Sequence, residues 1–223
     1  TEYYGASGPP EGGWPATFLV IAFRMRDTLP QAVAGALAQT VPCEIIVSDD
    51  SSGDGALDAV RPLLSEYHGP HRVILRSTAR NLGLCAHMAE LAGIASAPIL
   101  FSSAGDDVSK PERVACVLDE FATQPQAFVV GSSVDDIDAA GRVIAPATRG
   151  LPRQVDQDWL LARGRMATIL GASMAVRREL FDGFPALSGR AEDNMLMLRG
   201  ALMGECRWLG LPLVRYRRHG SNL

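Results

Sequence analysis

Three pairs of neighbouring acids pose the chemical question in this chain: Asp49 and Asp50, Asp106 and Asp107, and Glu192 and Asp193. Like charges in contact repel, and in a partly dry cleft an adjacent carboxylate pair stays ionised only beside a cation. Hard oxygen donors with no cluster of His or Cys nearby suit Mg2+ or Mn2+ better than zinc. Such ions take one or two carboxylates from a protein and complete their shell with substrate phosphates and water. Each pair also has an ordinary explanation. Asp49 and Asp50 open "DDSSGDG", the composition of a turn. Asp106 and Asp107 could be a solvated turn or a helix cap. Glu192 and Asp193 begin a helical segment, where acids complement the macrodipole. Their combination and order shift the balance toward one shared site.

The elements that must position these acids alternate along the first half. "TFLVIAF" (17–23), "CEIIVS" (43–48), "RVILR" (72–76), "PILFS" (98–102) and "AFVVGSSV" (127–134) are apolar runs, expected as strands. Helical patterns lie between them. Residues 28–39 have Thr28 and Gln31 in capping-box spacing, residues 56–67 are interrupted by Pro62, and residues 82–95 follow. Another helix begins after Ser109 and Glu112, a second capping-box spacing. This alternation predicts a single α/β domain with a mostly parallel central sheet flanked by helices. Ligands of such sheets bind outside the carboxyl ends of the strands, where Asp49/Asp50 and Asp106/Asp107 fall. The C-terminal half is less regular: "GASMAVRREL" reads as strand then helix, residues 192–203 as a helix, and "CRWLG" and "LPLVRYR" as closing strands. Asp135, Asp136 and Asp138 read as a surface loop. His68 and His71 read as turn residues, His87 as helix surface or packing, and Trp159 and Trp208 as buried side chains.

A length of 223 residues suits one domain, with residues 1–16 expected as a flexible lead-in. The formal charge of −4 argues against whole-surface attraction to nucleic acid. Cys43, Cys85, Cys116 and Cys206 are far apart and sit among apolar residues, as buried thiols of a reducing compartment would. "ATFLVIAF" is too short for a bilayer, and the opening residues lack the pattern of a signal peptide. The expectation is a cytoplasmic protein whose contact with a membrane, if any, is peripheral.

In this order the segments resemble the family-2 inverting glycosyltransferases of the GT-A fold. "FLVIAFRMRDTLPQAVAGALAQTVPCEIIVSDDSSGDGA" is similar to that family's first strand, helix and Asp-Asp-x-Ser strand end. "RNLGLCAHMAELAGIASAPILFSSAGDDVSKPERV" is similar to its Asn-x-Gly helix and Asp-x-Asp region. "GASMAVRRELFDGFP" resembles its acceptor-side segment, "AEDNMLMLRG" its Glu-Asp helix, and "YRRHGSNL" its closing Tyr-Arg-x-His loop. The resemblance implies a GT-A domain over residues 17–223, with a nucleotide-sugar half (17–110) and an acceptor and catalytic half (111–223). It implies metal-dependent, inverting transfer of a sugar to a hydroxyl, in polysaccharide or glycan synthesis. The donor would be a nucleotide-diphosphate sugar, a UDP-sugar foremost, and the acceptor a glycan or lipid-linked molecule. Asp193 would be the general base. Ala22, Phe23, Asp49, Asp50, Asn81, Asp106 and Arg218 would bind the donor, Asp106 and His219 a Mn2+ or Mg2+ ion, and Glu192 and Gly171 would face the acceptor. Arg217 stands with Arg218 beside His219, and both could neutralise phosphate charge.

Two positions depart from the family's pattern. Ala104 stands where the first Asp of Asp-x-Asp is expected, and Met88-Ala89 where the family often has Arg-Asn. Both would also suit a non-catalytic nucleotide-sugar-binding relic of the same fold, the alternative reading. A receiver-like signalling domain would need a lysine after its last strand, and Lys110, the only lysine, follows the fourth.

Overall fold

The computed structural model describes residues 1–148, 150–163, 168–187, 189 and 191–219. The lead-in expected to be flexible contains a strand, β1 (Glu2–Gly5), which pairs antiparallel along the outer edge of the sheet. β2 (Ala16–Ala22) and β3 (Glu44–Asp49) are buried at every position, as strands without polar alternation must be. β3 pairs in parallel with β2 on one side and with β4 (Arg72–Ser77) on the other. β2 in turn pairs in parallel with β5 (Ile99–Ala104). Helices α1 (Leu29–Leu37), α2 (Ala56–Ser65) and α3 (Leu84–Ile94) make the crossovers. All four parallel strands therefore release their following loops at one edge.

Beyond β5 the sheet becomes mixed. β6 (Val108–Ser109), α4 (Arg113–Thr123) and β7 (Ala127–Ile137) are followed by β8 (Val143–Ala145), β9 (Gln154–Val155) and α5 (Gln157–Arg163). A 3-10 turn (Gly171–Ser173), β10 (Ala175–Arg177), α6 (Glu179–Asp182), α7 (Glu192–Met203) and β11 (Glu205–Arg217) complete the described chain. β10 lies antiparallel between β5 and β7, and β7 pairs in parallel with β11. The sheet is thus mostly parallel at its centre and flanked by helices, and the irregular half supplies its second wing.

Several local expectations change. The two closing strands are one, β11, with register shifts around Pro212 that let it bend without ending. Asp135 and Asp136 belong to β7 rather than to a loop, and Lys110 Nζ pairs with Asp135 at 2.8 Å. Neither capping box forms: the residues before α1 and α4 make no side-chain cap bond, and Ser109 is taken by Arg113 instead. Pro62 does not end α2, because it and Asp58 lie on the exposed face, where water can reach the freed carbonyl. His71 is buried, its Nδ1 accepting the Cys43 N–H at 3.1 Å. The four cysteines are free thiols, Cys116 half-buried and the rest buried.

One buried cation joins the two wings. The Arg113 guanidinium is fully buried, 5.4 Å from the Phe18 ring and 5.7 Å from that of Phe101. It donates to Ser109 Oγ (2.8 Å), to the Ser102 carbonyl (2.8 Å) and to the Met174 carbonyl (3.2 Å). Burial pulls its pKa down to about 9. These bonds tie β5, the residue ahead of β10, and the β6 turn into one piece. Arg113→Ala would orphan those acceptors and leave a cavity, so urea unfolding is expected to show a loss of about 3 kcal/mol or more. A loss below about 1 kcal/mol would mean that the wings are held by something else.

Candidate active site

The carboxyl edge of β2 and β5 forms the floor of a cleft of about 1080 Å³. Ala22, Phe23, Asp50, Asn81 and Asp106 line it from the first half of the chain, and Gly171, Glu192 and Asp193 from the second. Every pair expected from the sequence therefore reaches a common space, the first through Asp50 alone, the second through Asp106 and its neighbour Asp107, and the third through both members. A shallower concavity of about 530 Å³ beside Tyr4 and Tyr67 is lined by no acid.

Asp49 and Asp50 follow different fates because successive residues leaving a strand point to opposite sides. Asp49 is not part of the cleft lining. Its carboxylate accepts the Ser52 N–H (2.9 Å) and Ser52 Oγ–H (2.6 Å), closing the loop after β3. Asp50 faces the cleft and is gripped by the loop before α3. Its Oδ1 accepts from Thr78 Oγ1 (3.1 Å) and the Leu82 N–H (2.9 Å), and its Oδ2 from the Gly83 N–H (2.8 Å). Gly83 has φ 77°, a left-handed conformation that favours glycine and turns the α3 N-terminus toward Asp50. Asn81 completes the clamp by donating to the Asp50 carbonyl at 3.3 Å.

Asp106 and Asp107 also diverge. Asp106 Oδ2 lies 2.7 Å from His219 Nε2 at the mouth of the closing loop. Asp107 is buried; its Oδ1 accepts the Arg217 N–H at 2.8 Å, while its Oδ2 has no hydrogen-bond partner. Burial, with the Asp106 charge adding to it, pushes the Asp107 carboxyl up to about 8. Arg217 does not offer its charge to a ligand in this arrangement. Its guanidinium is buried and donates to the carbonyls of Asp106 (2.9 Å), Asp138 (3.0 Å) and Ala139 (2.8 Å) and to Gln31 Oε1 (2.8 Å). Arg218 is exposed, 3.6 Å from Asp136 and stacked by Tyr216, and is not part of the cleft lining. Ala104 lines the cleft where a second carboxylate was expected. Residues 220–223, the rest of the closing motif, lie outside the described residues.

The donor set fits a divalent ion held mainly by its substrate. Asp106 Oδ2 and His219 Nε2 already converge, and among the described residues no three His, Cys, Asp or Glu side chains form a cage. Such a pair cannot enclose an ion alone. It suits Mn2+ or Mg2+ sharing phosphate oxygens and water.

Glu192 and Asp193 start α7 against the 3-10 turn. A methyl group at Gly171 would meet Glu192 Oε1 at 2.5 Å, so the turn packs closely on this carboxyl and a side chain there would force the carboxyl to move. Burial, with the Asp193 charge adding to it, pushes Glu192 up to about 7. Burial also raises Asp193, partly offset by the N–H groups of Asn194, which donates to Oδ1 at 2.7 Å, and Gly171. A carboxylate so raised is a stronger base than one in water.

His87 is the cleft residue that the sequence reading missed, having been assigned to helix surface or packing. It is fully buried and lines the cleft with Gly83 and Leu84. The signal was present, because His87 follows Leu84 by three residues and precedes Leu91 by four, and so shares their inward face. Asn194 and Tyr216 line the cleft as well.

This geometry belongs to a known class of protein. The model of the family "Glycosyl transferase family 2" matches residues 17–184. The chain belongs to that family. It is 28% identical over 209 residues to the uncharacterized protein Mb1547 of Mycobacterium bovis, an alignment covering 91% of this chain and 58% of Mb1547. Rv1520 of Mycobacterium tuberculosis matches to the same extent. The chain thus spans less than two thirds of the length of these curated relatives. Among solved structures, TarS 1-349 of S. aureus in complex with UDP-GlcNAc superposes with a TM-score of 0.69 at 14% identity, covering 93% of this chain and 59% of that one. The mannosyltransferase PcManGT from Pyrobaculum calidifontis, in complex with GDP-Man and Mn2+, gives 0.65 at 19% identity, covering 94% and 58%. GalNAc-T7 with UDP, GalNAc and Mn2+ gives 0.71 at 15% identity, covering 92% and 44%. They share the GT-A fold with this chain.

The Glu192 carboxyl makes stability depend on pH with a definite sign. Its folded pKa of about 7 lies above the ordinary 4.5, so between those values the folded chain holds a proton that the unfolded chain has lost. Its contribution to stability therefore falls as pH rises through that window. Glu192→Gln is expected to lose less melting temperature than the parent between pH 5 and pH 7.5. Equal losses would mean that Glu192 is charged in the fold.

Proposed function

We propose that this chain transfers a sugar, with inversion, from a nucleotide-diphosphate sugar to a hydroxyl of a glycan or lipid-linked acceptor. A UDP-sugar is the expected donor. The observation that carries this reading is the meeting of Asp50, Asp106 and Asp193 in one cleft, from three separate segments of a family-2 chain. The structural neighbours solved with UDP-GlcNAc, GDP-Man and UDP support the same donor class. No described helix is long and apolar enough to cross a membrane.

The roles follow from where each group sits. Asp50, fixed by three donors, presents one edge of its carboxylate to the nucleobase, beside the Ala22 and Phe23 backbone at the end of β2. Asp106 and His219 would hold a divalent ion, which when bound supplies Lewis-acid stabilisation to a leaving diphosphate. Asp193 takes the proton of the acceptor hydroxyl as that oxygen attacks the anomeric carbon. One base suffices because inversion is a single displacement. Glu192 orients the acceptor through hydrogen bonds, and Gly171 leaves room for its carboxyl.

Asp193→Asn keeps the shape of the cleft and removes the base. It is expected to bind UDP within about twofold of the parent while transfer falls on the order of 10²–10⁴-fold. Unchanged transfer in this variant would remove Asp193 from the mechanism. Asp106→Ala is expected to abolish the Mn2+ dependence of UDP binding in titration calorimetry. If Mn2+ strengthens UDP binding equally in parent and variant, the ion is held elsewhere.

A further inference from the structure

His87 has a role in the cleft that packing alone does not explain. Its ring is fully buried, yet it forms part of the cleft wall beside Asp50. Nε2 lies 2.7 Å from Ser48 Oγ, at the end of β3. Nδ1 has no hydrogen-bond partner and lies 3.9 Å from Asp50 Oδ1. An unpaired buried ring nitrogen costs about 1–3 kcal/mol, so a donor left open beside a ligand cleft calls for a ligand atom.

The neighbours decide which kind of atom. Burial lowers the imidazole's proton affinity, so the ring is neutral near pH 7, with one nitrogen a donor and the other an acceptor. A carboxylate 3.9 Å away favours the proton on Nδ1, and Ser48 Oγ–H then donates to Nε2. Asp50 has its own remaining capacity. Two carboxylate oxygens accept about four hydrogen bonds, and Thr78, Leu82 and Gly83 supply three, two to Oδ1 and one to Oδ2. The open position is on Oδ2. An acceptor on Asp50 and a donor on His87 thus stand side by side on one wall.

We propose that His87 is a specificity-determining residue that, with Asp50, reads a lactam edge of the donor's nucleobase. A lactam places an N–H next to a C=O: the N–H donates to Asp50 Oδ2, and the carbonyl accepts from His87 Nδ1–H. Uracil, thymine and guanine carry that edge. Cytosine and adenine present a bare ring nitrogen beside an amino group, which would set lone pair against carboxylate and N–H against N–H. The inference rests on the donor-site reading above and adds to it the residue that selects the base.

The test is titration calorimetry of the full chain with UDP, GDP, CDP and ADP in the presence of Mn2+. UDP or GDP is expected to bind about tenfold or more tightly than CDP and ADP, since a site built for a donor–acceptor pair rejects the reversed one. Parent protein binding CDP or ADP as tightly as the lactam nucleotides overturns the proposal without any variant. His87→Phe keeps a flat ring of similar breadth and removes both nitrogens. It is expected to reduce the preference for the lactam base about fivefold or more, and a merely structural role would weaken all four nucleotides alike. Uniform weakening, or an undiminished preference in His87→Phe with a normal melting transition, also overturns the proposal. Binding by none of the four would instead overturn the donor-site reading and take this inference with it.

Discussion

An acid at the edge of a buried sheet must be satisfied by something, and that constraint organises the cleft. The six paired acids meet it in different ways. Asp49 is satisfied within its own loop by Ser52, and Asp50 by two backbone N–H groups and a hydroxyl. Asp107 has one oxygen held by the Arg217 N–H and one left over. Asp106 leans on His219. Glu192 and Asp193 gain from the first turn of α7 but remain raised by burial. What each group has left after these internal bonds is what it can offer a ligand. Asp49 has little to offer and Asp50 has one position, while Asp106 and His219 meet each other.

The scaffold that keeps these groups in place is built from two arginines whose charges are used indoors. Arg113 binds two carbonyls and a hydroxyl across β5, β6 and the start of β10. Arg217 gathers three carbonyls and Gln31 around the Asp106 turn. A guanidinium suits this because its five N–H groups form a rigid fork that several carbonyls can share. The consequence is local stiffness where the site needs it: the Asp106 backbone is fixed by β11, the same strand that delivers His219. The two partners of the candidate metal pair, 113 positions apart in sequence, are thus aligned by one side chain.

Much of this arrangement was legible in the sequence. β2 and β3 read as buried strands because they lack polar alternation, and the acids at strand ends marked the edge where the cleft opens. What escaped were features set by tertiary contact. Ser109 looked like a helix cap but serves Arg113. Pro62 looked like a break but sits where water can replace the lost bond. Arg217 looked like a phosphate ligand, and only the fold shows the carbonyls that occupy it. His87 shares a helical face with Leu84 and Leu91, so its inward direction was readable. Its meeting with Asp50 and Ser48 depends on how α3 settles on β3, which spacing along the chain does not reveal.

Ala104 acquires a definite meaning in this light. A carboxylate at that cleft position would stand with Asp106 as a second anionic ligand for a cation; here Asp106 meets only the His219 imidazole, which is outside the cleft lining. One carboxylate and one imidazole leave most of a divalent ion's charge and coordination to be supplied by the diphosphate. On the proposed reading, the ion would bind weakly to the chain alone and much more strongly once a nucleotide is in place. By reciprocity of linkage, the nucleotide would gain the same factor from the ion. The missing acid would thus move the site from a resident metal centre toward one in which ion and donor assemble together, with Asp50 and His87 anchoring one end of that assembly and the Asp106–His219 pair the other.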